Sequence, residues 1–318
     1  MRFLTGIKPT GELHFGNYLG AIRPALSLPG PGVFCVADYH ALTSVQDAQA
    51  LRDNTIKMCA ALLALGCGVN DKIVYRQSKI PEVQELAWIL SCLSPVGLME
   101  RGHAVKAAKG TGASINLGTF NYPVLMAADI LLFRAEGIPV GKDQHQHVQI
   151  AQLLADKVNY RAGFELFKSP QALISDVGIV PGIDGEKMSK SNHNTIPFFS
   201  EPSEMKKRIF GIKTSSTPRE EAMDPNTCTV FKLYQHFATP AQVKTMELNY
   251  AMTNYGYGNA KTDLLEAING VVGSSYNYYR FLTSSYLEGV EIELVKHEQM
   301  IRGIAQQTLI DVKNVVGL

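Results

Sequence analysis

Arg2-Phe3-Leu4-Thr5-Gly6-Ile7 runs directly into Lys8-Pro9-Thr10-Gly11 and then into Glu12-Leu13-His14-Phe15-Gly16-Asn17. The first six residues read as a strand and the next four as a break. A helix is expected from about Gly16–Asn17 towards Leu28, where Pro29-Gly30-Pro31-Gly32 stops it. The same alternation continues outward. Val33–Ala37 is a compact apolar run, suited to a strand covered on both faces. Asp47–Leu65 has helical spacing, with Leu51, Met58, Leu62 and Leu65 on related faces. Lys72–Arg76 reads as a strand, Glu82–Leu93 as a helix after Pro81, and Tyr122–Arg134 as an apolar helix. Ile138–Val140 is a short strand and Asp143–Tyr160 a helix. Strands alternating with helices of this length predict an α/β fold with a parallel, doubly wound sheet.

After Val180-Pro181-Gly182-Ile183-Asp184-Gly185 the strand signals fade. Helical segments follow one another at Ser203–Phe210, Val230–Phe237, Ala241–Tyr250, Lys261–Tyr286 and from Val290 to near the end. A boundary is expected close to Ser191: a first domain over 1–191 and an all-helical domain over 192–296. The C-terminal helix, residues 297–318, is expected to pack back on the first domain.

A chain of 318 residues buries a sizeable core without staples and suits two domains. Its net charge of +1 excludes the strongly basic profile of an RNA-coating protein, though not a local basic face. Cys35, Cys59, Cys67, Cys92 and Cys228 form no C-x-x-C pair. This reads as free thiols in a reducing compartment, not as a disulfide frame or zinc knuckle. The start lacks an apolar signal core and no run has the length of a membrane span, so the expected location is the cytoplasm.

Two constellations carry chemistry. Pro9-Thr10-Gly11-Glu12-Leu13-His14-Phe15-Gly16-Asn17 joins a strand to a helix. Gly11 and Gly16 allow backbone to approach a phosphate, a helix N-terminus supplies unpaired N–H groups, and His14 and Asn17 are placed to donate to phosphoryl oxygens. In a doubly wound sheet this turn lies at the ligand-binding end. The same residues also fit a Pro/Gly turn with a surface histidine. The second is Lys187-Met188-Ser189-Lys190-Ser191. Two lysines on a loop suit a leaving polyphosphate whose charge is neutralised as a bond breaks, and equally suit a solvated loop.

The pair H-x-G-N and K-M-S-K-S resembles the paired signatures of class I aminoacyl-tRNA synthetases. Ala37-Asp38-Tyr39-His40-Ala41-Leu42-Thr43, Met126-Ala127-Ala128-Asp129-Ile130-Leu131-Leu132 and Pro139-Val140-Gly141-Lys142-Asp143-Gln144 with His147 resemble the tryptophanyl-tRNA synthetase family. Similar stretches continue to Gly256–Leu265, so the resemblance covers nearly the whole chain. It implies a Rossmann-like catalytic domain and a helical tRNA anticodon-binding domain. It also implies a ligase that activates L-tryptophan with ATP and Mg2+ and passes it to the 3′-terminal ribose of tRNA(Trp). A homodimer is implied, and no protein-bound metal is expected.

By resemblance, His14 and Asn17 hold phosphates in the transition state, and Lys187 and Lys190 grip the departing pyrophosphate. Lys8, Pro9, Thr10, Gly11, Gly16, Gly141, Asp143, Gln144, Met188 and Ser189 join them at ATP. Leu4, Thr5, Gly6, His40, Met126, Asp129, Ile138, Val140 and Gln144 form the amino-acid site. Asp129 carries specificity: it sits in the apolar stretch Val124–Phe133, and an indole N–H is donor only, so a carboxylate matches it. Met126 shares its helix face and packs on the ring; Ile138 and Val140 complete the pocket. The residues alone leave another reading open, with Asp129 paired to Arg134 and Met126 simply core. His40 lines the amino-acid site or is a satisfied strand-end histidine. His145 and His147, two apart on a helix, point to different faces and do not make a metal pair. Lys206-Lys207-Arg208 fits a solvated helix face.

Three departures from the family pattern stand out. Leu4 replaces a common aromatic, Lys8 a common glutamine, and Gly102-His103-Ala104-Val105-Lys106-Ala107 is less polar than usual. The competing activities are a tyrosyl-tRNA synthetase, which shares both signatures, and a small-molecule nucleotidyltransferase.

Overall fold

The computed structural model describes residues 1–100, 102, 115–174, 177–218 and 220–318, with the side chain of Asp143 also outside the description. Five parallel strands, β1 (Phe3–Ile7), β2 (Gly32–Val36), β3 (Lys72–Arg76), β4 (Gly137–Val140) and β5 (Gln171–Ile174), form one sheet in the order β3-β2-β1-β4-β5. The first four are where the sequence places them. The fifth is only four residues long and part-exposed, too short and too wet to show an apolar run. The order reverses direction between β1 and β4, so the crevice at their carboxyl ends is the switch point of the sheet.

The chain divides by packing into two compact units. These follow contacts, whereas the division expected near Ser191 follows the loss of strand signals along the chain. The first unit is Met1–Gly11, Pro24–Ser175 and Leu282–Leu318. It holds the sheet with helices α1 (Ala48–Ala64), α2 (Glu82–Leu93), α3 (Leu117–Leu132) and α4 (His145–Ala162). The Asp47 carboxylate accepts from Ala50 N and starts α1 one residue from the expected place. Asn116 caps α3 in the same way. That helix therefore begins five residues before Tyr122 and carries Pro123 inside it, where the sequence reading starts at the proline's neighbour. Leu4, Val33, Cys35 and Tyr75 from the strands pack with Leu86 and Leu90 of α2, Val124, Ala128 and Leu131 of α3, and Val148 and Leu154 of α4. Four of the five cysteines are buried free thiols, and Cys92 is exposed.

The second unit is Glu12–Arg23 and Asp176–Phe281. Its helices are α5 (Pro202–Phe210), α6 (Thr229–Phe237), α7 (Pro240–Ala251) and most of α8 (Gly256–Ser284). The last helix, α9 (Leu287–Val316), belongs to the first unit. Its Ile301, Ala305, Leu309 and Val312 recur at helical spacing and join the strand-and-helix core. The segment after Glu12 belongs to the second unit for a physical reason. Phe15 is fully buried against Phe198 and Phe237, at ring-centroid distances of 5.2 and 4.8 Å. Phe15 N donates to Ile196 O at 3.1 Å and Phe198 N to Leu13 O at 2.8 Å. No helix among the described residues is long and apolar enough to cross a membrane.

Candidate active site

In the first unit, the segments expected to form the amino-acid site lie at or near the carboxyl ends of the strands and on α3. Asp129 projects from α3 and is only 5% exposed. Its two oxygens are held separately: Oδ1 accepts from the Tyr75 hydroxyl at 3.3 Å and Oδ2 from Gln77 Nε2 at 2.7 Å. Burial pushes its pKa up to about 8, with the nearby Asp38 charge adding to the rise and the two hydrogen bonds opposing it. Arg134, the alternative partner, instead bonds Asp311 and Thr308. The carboxylate is thus buried with neutral donors and no counter-ion among its hydrogen-bond partners.

Gln77 ties this group to the β2 end, since its Oε1 accepts from His40 N at 3.1 Å. The neighbouring Ser78 donates through N and Oγ to Asp38, at 2.8 and 2.5 Å. The His40 ring stacks on Tyr122, with centroids 4.6 Å apart and an interplanar angle of 19°. Burial, then the charge of Lys8, lowers the His40 pKa to about 4, so the ring is neutral at pH 7. Tyr122 Oη lies 2.8 Å from His147 Nε2, and His147 Nδ1 lies 2.8 Å from Gln144 Oε1. The amide oxygen only accepts, so Nδ1 carries the proton and Nε2 accepts the tyrosine hydroxyl.

His147 is therefore satisfied by hydrogen bonds. Among the described residues no group of three or more His, Cys, Asp or Glu side chains converges on a metal position. Leu4, Ile138 and Val140 are buried in the same core, with Met126 packed against it. Thr5 Oγ1 donates to Pro139 O at 3.3 Å, and Gly6 is exposed. Lys8 donates to Thr43 Oγ1 at 2.8 Å, and burial lowers its pKa. Thr10 N closes a turn onto Lys8 O at 2.9 Å, with Pro9 inside it and Gly11 at φ 132° beyond. Gly141 begins the 3-10 turn Lys142–Gln144. The side chain expected of Asp143 lies outside the described residues, as do residues 103–107.

In the second unit, His14 precedes a helical turn at Phe15–Asn17, and Asn17 Oδ1 accepts from His14 N at 3.4 Å. His14 is 7% exposed, and its Nδ1 has no hydrogen-bond partner among the described residues. Burial and then the Lys190 charge lower its pKa to about 4. A Cβ on Gly16 would meet the His14 ring at 3.0 Å, so the absence of a side chain lets that ring lie over the turn. Gly16 N points to Met188 Sδ at 3.2 Å. The segment from Val180 to Met188 is a hairpin. Met188 N donates to Val180 O at 2.9 Å, Gly182 N to Glu186 O at 2.7 Å, and Gly185 takes φ 91° at the tip. Met188 is buried. Burial lowers the Lys190 pKa to about 8, partly offset by Glu12. Within this unit His14, Gly16, Asn17, Met188 and Lys190 are therefore neighbours, whereas Lys206-Lys207-Arg208 lies along α5 and spends Arg208 on Glu204 at 2.9 Å.

Tyr75, Gln77, Asp38 and Tyr122 are absent from the sequence-derived site. The signal for Gln77 and Asp38 was present, because both follow a strand at its carboxyl end, where doubly wound sheets bind ligands. Tyr75 and Tyr122 carried no such mark.

A family model described as tRNA synthetases class I (W and Y) matches residues 1–273. The tryptophan–tRNA ligase of Rhodopirellula baltica is 46% identical over 269 residues, 84% of each chain. That of Campylobacter jejuni is 41% identical over 321 residues, covering 100% of both. The crystal structure of Campylobacter jejuni tryptophanyl-tRNA synthetase complexed with ADP and tryptophan matches with a TM-score of 0.90 at 40% identity. It covers 100% of each chain.

Proposed function

The chain belongs to the class I tRNA synthetases of the tryptophan and tyrosine (W and Y) family, and from that premise we propose that it is a tryptophan–tRNA ligase. The tryptophan carboxylate attacks the α-phosphorus of ATP; a carboxylate–phosphorus bond forms, the bond to the β-phosphate's bridging oxygen breaks, and pyrophosphate leaves. A ribose hydroxyl at the 3′ end of tRNA(Trp) then attacks the acyl carbon, and AMP departs. Little covalent work falls to the protein, so positioning and charge stabilisation dominate.

Asp129 is the observation that carries the choice of amino acid. Tyr75 and Gln77 each occupy one oxygen and leave lone pairs for an indole N–H. A donor-only ring edge meets an acceptor that is already oriented, and an amino acid lacking that donor forgoes the bond. Leu4, Thr5, Gly6, His40, Met126, Ile138, Val140 and Gln144 are assigned to the rest of the tryptophan site, with Lys8, Pro9, Thr10, Gly11, Gly141 and Asp143 at the nucleotide. In the second unit His14, Gly16 and Asn17 are assigned to phosphate oxygens in the transition state. Lys187 and Lys190, with Met188 and Ser189 between them, are assigned to pyrophosphate. A neutral His14 serves here as a hydrogen-bonding group, since its pKa of about 4 leaves it uncharged at pH 7.

Mg2+ is assigned to the phosphates of ATP, the usual way this ion is held at nucleotide sites. Residues 1–191 with the C-terminal helix are assigned to activation, and residues 192–296 to the tRNA anticodon. A homodimer is proposed, as the family resemblance implies. The proposed compartment is the cytoplasm, where tRNA is charged. Amino-acid-dependent pyrophosphate exchange is the test. Exchange driven by tryptophan supports the reading, and exchange driven by tyrosine alone refutes it.

A further inference from the structure

Asn194 is a polar residue that none of this chemistry uses, yet it is only 1% exposed, and every hydrogen bond of its side chain goes to the lysine hairpin. Its Oδ1 accepts from Ser189 N at 2.8 Å. Its Nδ2 donates to Lys187 O at 3.0 Å and to Asp184 Oδ1 at 2.8 Å. Its own carbonyl accepts from Ile183 N at 3.0 Å. One amide therefore grips the backbone on both sides of Met188 as well as the tip of the hairpin. The fit is close: a Cβ on Gly182 would stand 2.4 Å from the Asn194 side-chain carbon, so only glycine leaves room for the amide.

The preceding residue, His193, turns the chain with φ 52° and delivers Asn194 beneath the loop. Asn192 adds an outer brace, its Nδ2 donating to Lys187 O at 3.3 Å and its N to Ser189 Oγ at the same distance. Met188 ties the hairpin to Gly16 N at 3.2 Å, so a loop held by Asn194 also stays in register with the His14 turn.

We infer that Asn194, seated against Gly182, is a positioning residue for adenylate formation: it holds Lys187 and Lys190 at the spacing at which they meet the departing pyrophosphate. The inference rests on the assignment of those lysines to pyrophosphate. Asn194 touches neither substrate nor product; it acts through the backbone of residues 187–189. A misplacement of the lysines by about 1 Å costs about 100-fold in rate.

The test uses the full chain and three variants: Asn194→Ala, Asn194→Asp and the exchange pair Asn194→Asp with Asp184→Asn. Tryptophan-dependent pyrophosphate exchange is measured with kcat and the KM for pyrophosphate separated, alongside tryptophan binding by calorimetry. Absence of tryptophan-dependent exchange in the unaltered chain would sink the ligase reading itself. Given that exchange, Asn194→Ala should lower kcat about 100-fold and raise the KM for pyrophosphate, with tryptophan affinity unchanged. Asn194→Asp faces Asp184 with like charge and should be at least as impaired, whereas the exchange pair restores a donor and an acceptor and should recover part of the rate. Unchanged kinetics in Asn194→Ala overturn the inference. So does parallel loss of tryptophan binding and exchange in all three variants, which marks a purely structural residue.

Discussion

The two parts of the molecule assigned to chemistry treat polar groups in different ways. In the first unit, Asp129, Gln77 and Tyr75 are buried, the part-buried His40 joins them by hydrogen bonds, and each group has its orientation set before any ligand arrives. In the second, the buried His14 keeps a ring nitrogen without a partner among the described residues, while Lys187 lies in the hairpin and Lys190 opens the 3-10 turn after it, a segment gripped through the backbone of residues 187 and 189. Under the proposed assignment, recognising an amino acid is an equilibrium problem, answered by a rigid and nearly complete network. Under the same assignment, expelling pyrophosphate is a problem of developing charge, answered by His14 and the two lysines.

The largest expected effect tests the first half of that contrast. Asp129→Ala should lower kcat/KM for tryptophan by on the order of 10^3-fold, the usual scale for removing one partner of a buried charged hydrogen bond. Melting temperature should change little beside it. Near-normal tryptophan-dependent exchange would end the indole-partner role. The second half is tested by Lys190→Ala, expected to slow adenylate formation about 10^2- to 10^3-fold while leaving tryptophan affinity within a factor of two or so. Single-turnover kinetics with equilibrium dialysis would show it; equal loss of both would make the lysine structural and erase the contrast.

The pH behaviour sharpens the comparison. Burial raises the Asp129 pKa from 3.8 to about 8, so at pH 7 the free site holds a proton that a donor-only indole displaces. Tryptophan affinity should rise about tenfold per pH unit towards pH 8 and level off above it, with one proton released on binding. Calorimetry in buffers of different ionisation enthalpy measures that proton, and a flat profile from pH 6 to 8 would contradict it. The sign for stability is opposite. Between pH of about 4 and about 8 the folded chain retains a proton that the unfolded chain has lost, so stability attributable to Asp129 falls as pH rises through that window. Asn in place of Asp129 should therefore raise the melting temperature more at pH 8 than at pH 5. The smallest effect belongs to Tyr75→Phe. It removes the longer of the two bonds to Asp129 and should weaken tryptophan binding about fivefold, for a loss of roughly 1 kcal/mol.

The Asp129 network also shows where reading the chain stops. The carboxylate was visible because a charged residue interrupts Val124–Phe133, and α2 and β3 were located to the residue from Pro81 and the apolar run before it. Its partners were not visible, since Tyr75 and Gln77 lie 54 and 52 residues away in sequence and meet it only because β3 and α3 pack in the same core. Arg134 was the nearest base in sequence, but it follows the C-cap residue of α3, Phe133, with φ 49° and turns to Asp311 on α9. The lysine motif shows the same limit. Lys187 and Lys190 announce themselves by type and spacing, while Asn194, which holds them, looks like any polar loop residue.

What the sequence determined by itself is everything set by local rules: strand and helix alternation, the start of α1 to within one residue, the strand-to-helix turn at His14 and the two lysines. Periodicity, backbone preference and charge act over a few residues and leave a linear trace. Tertiary structure alone decided three things: that residues 12–23 pack with the helical unit through Phe15, that Asp129 is bonded to Tyr75 and Gln77, and that Asn194 lies under the hairpin. Each depends on which distant surfaces exclude water together. A buried polar group takes the partner that the packing brings within reach, whatever its place in the chain.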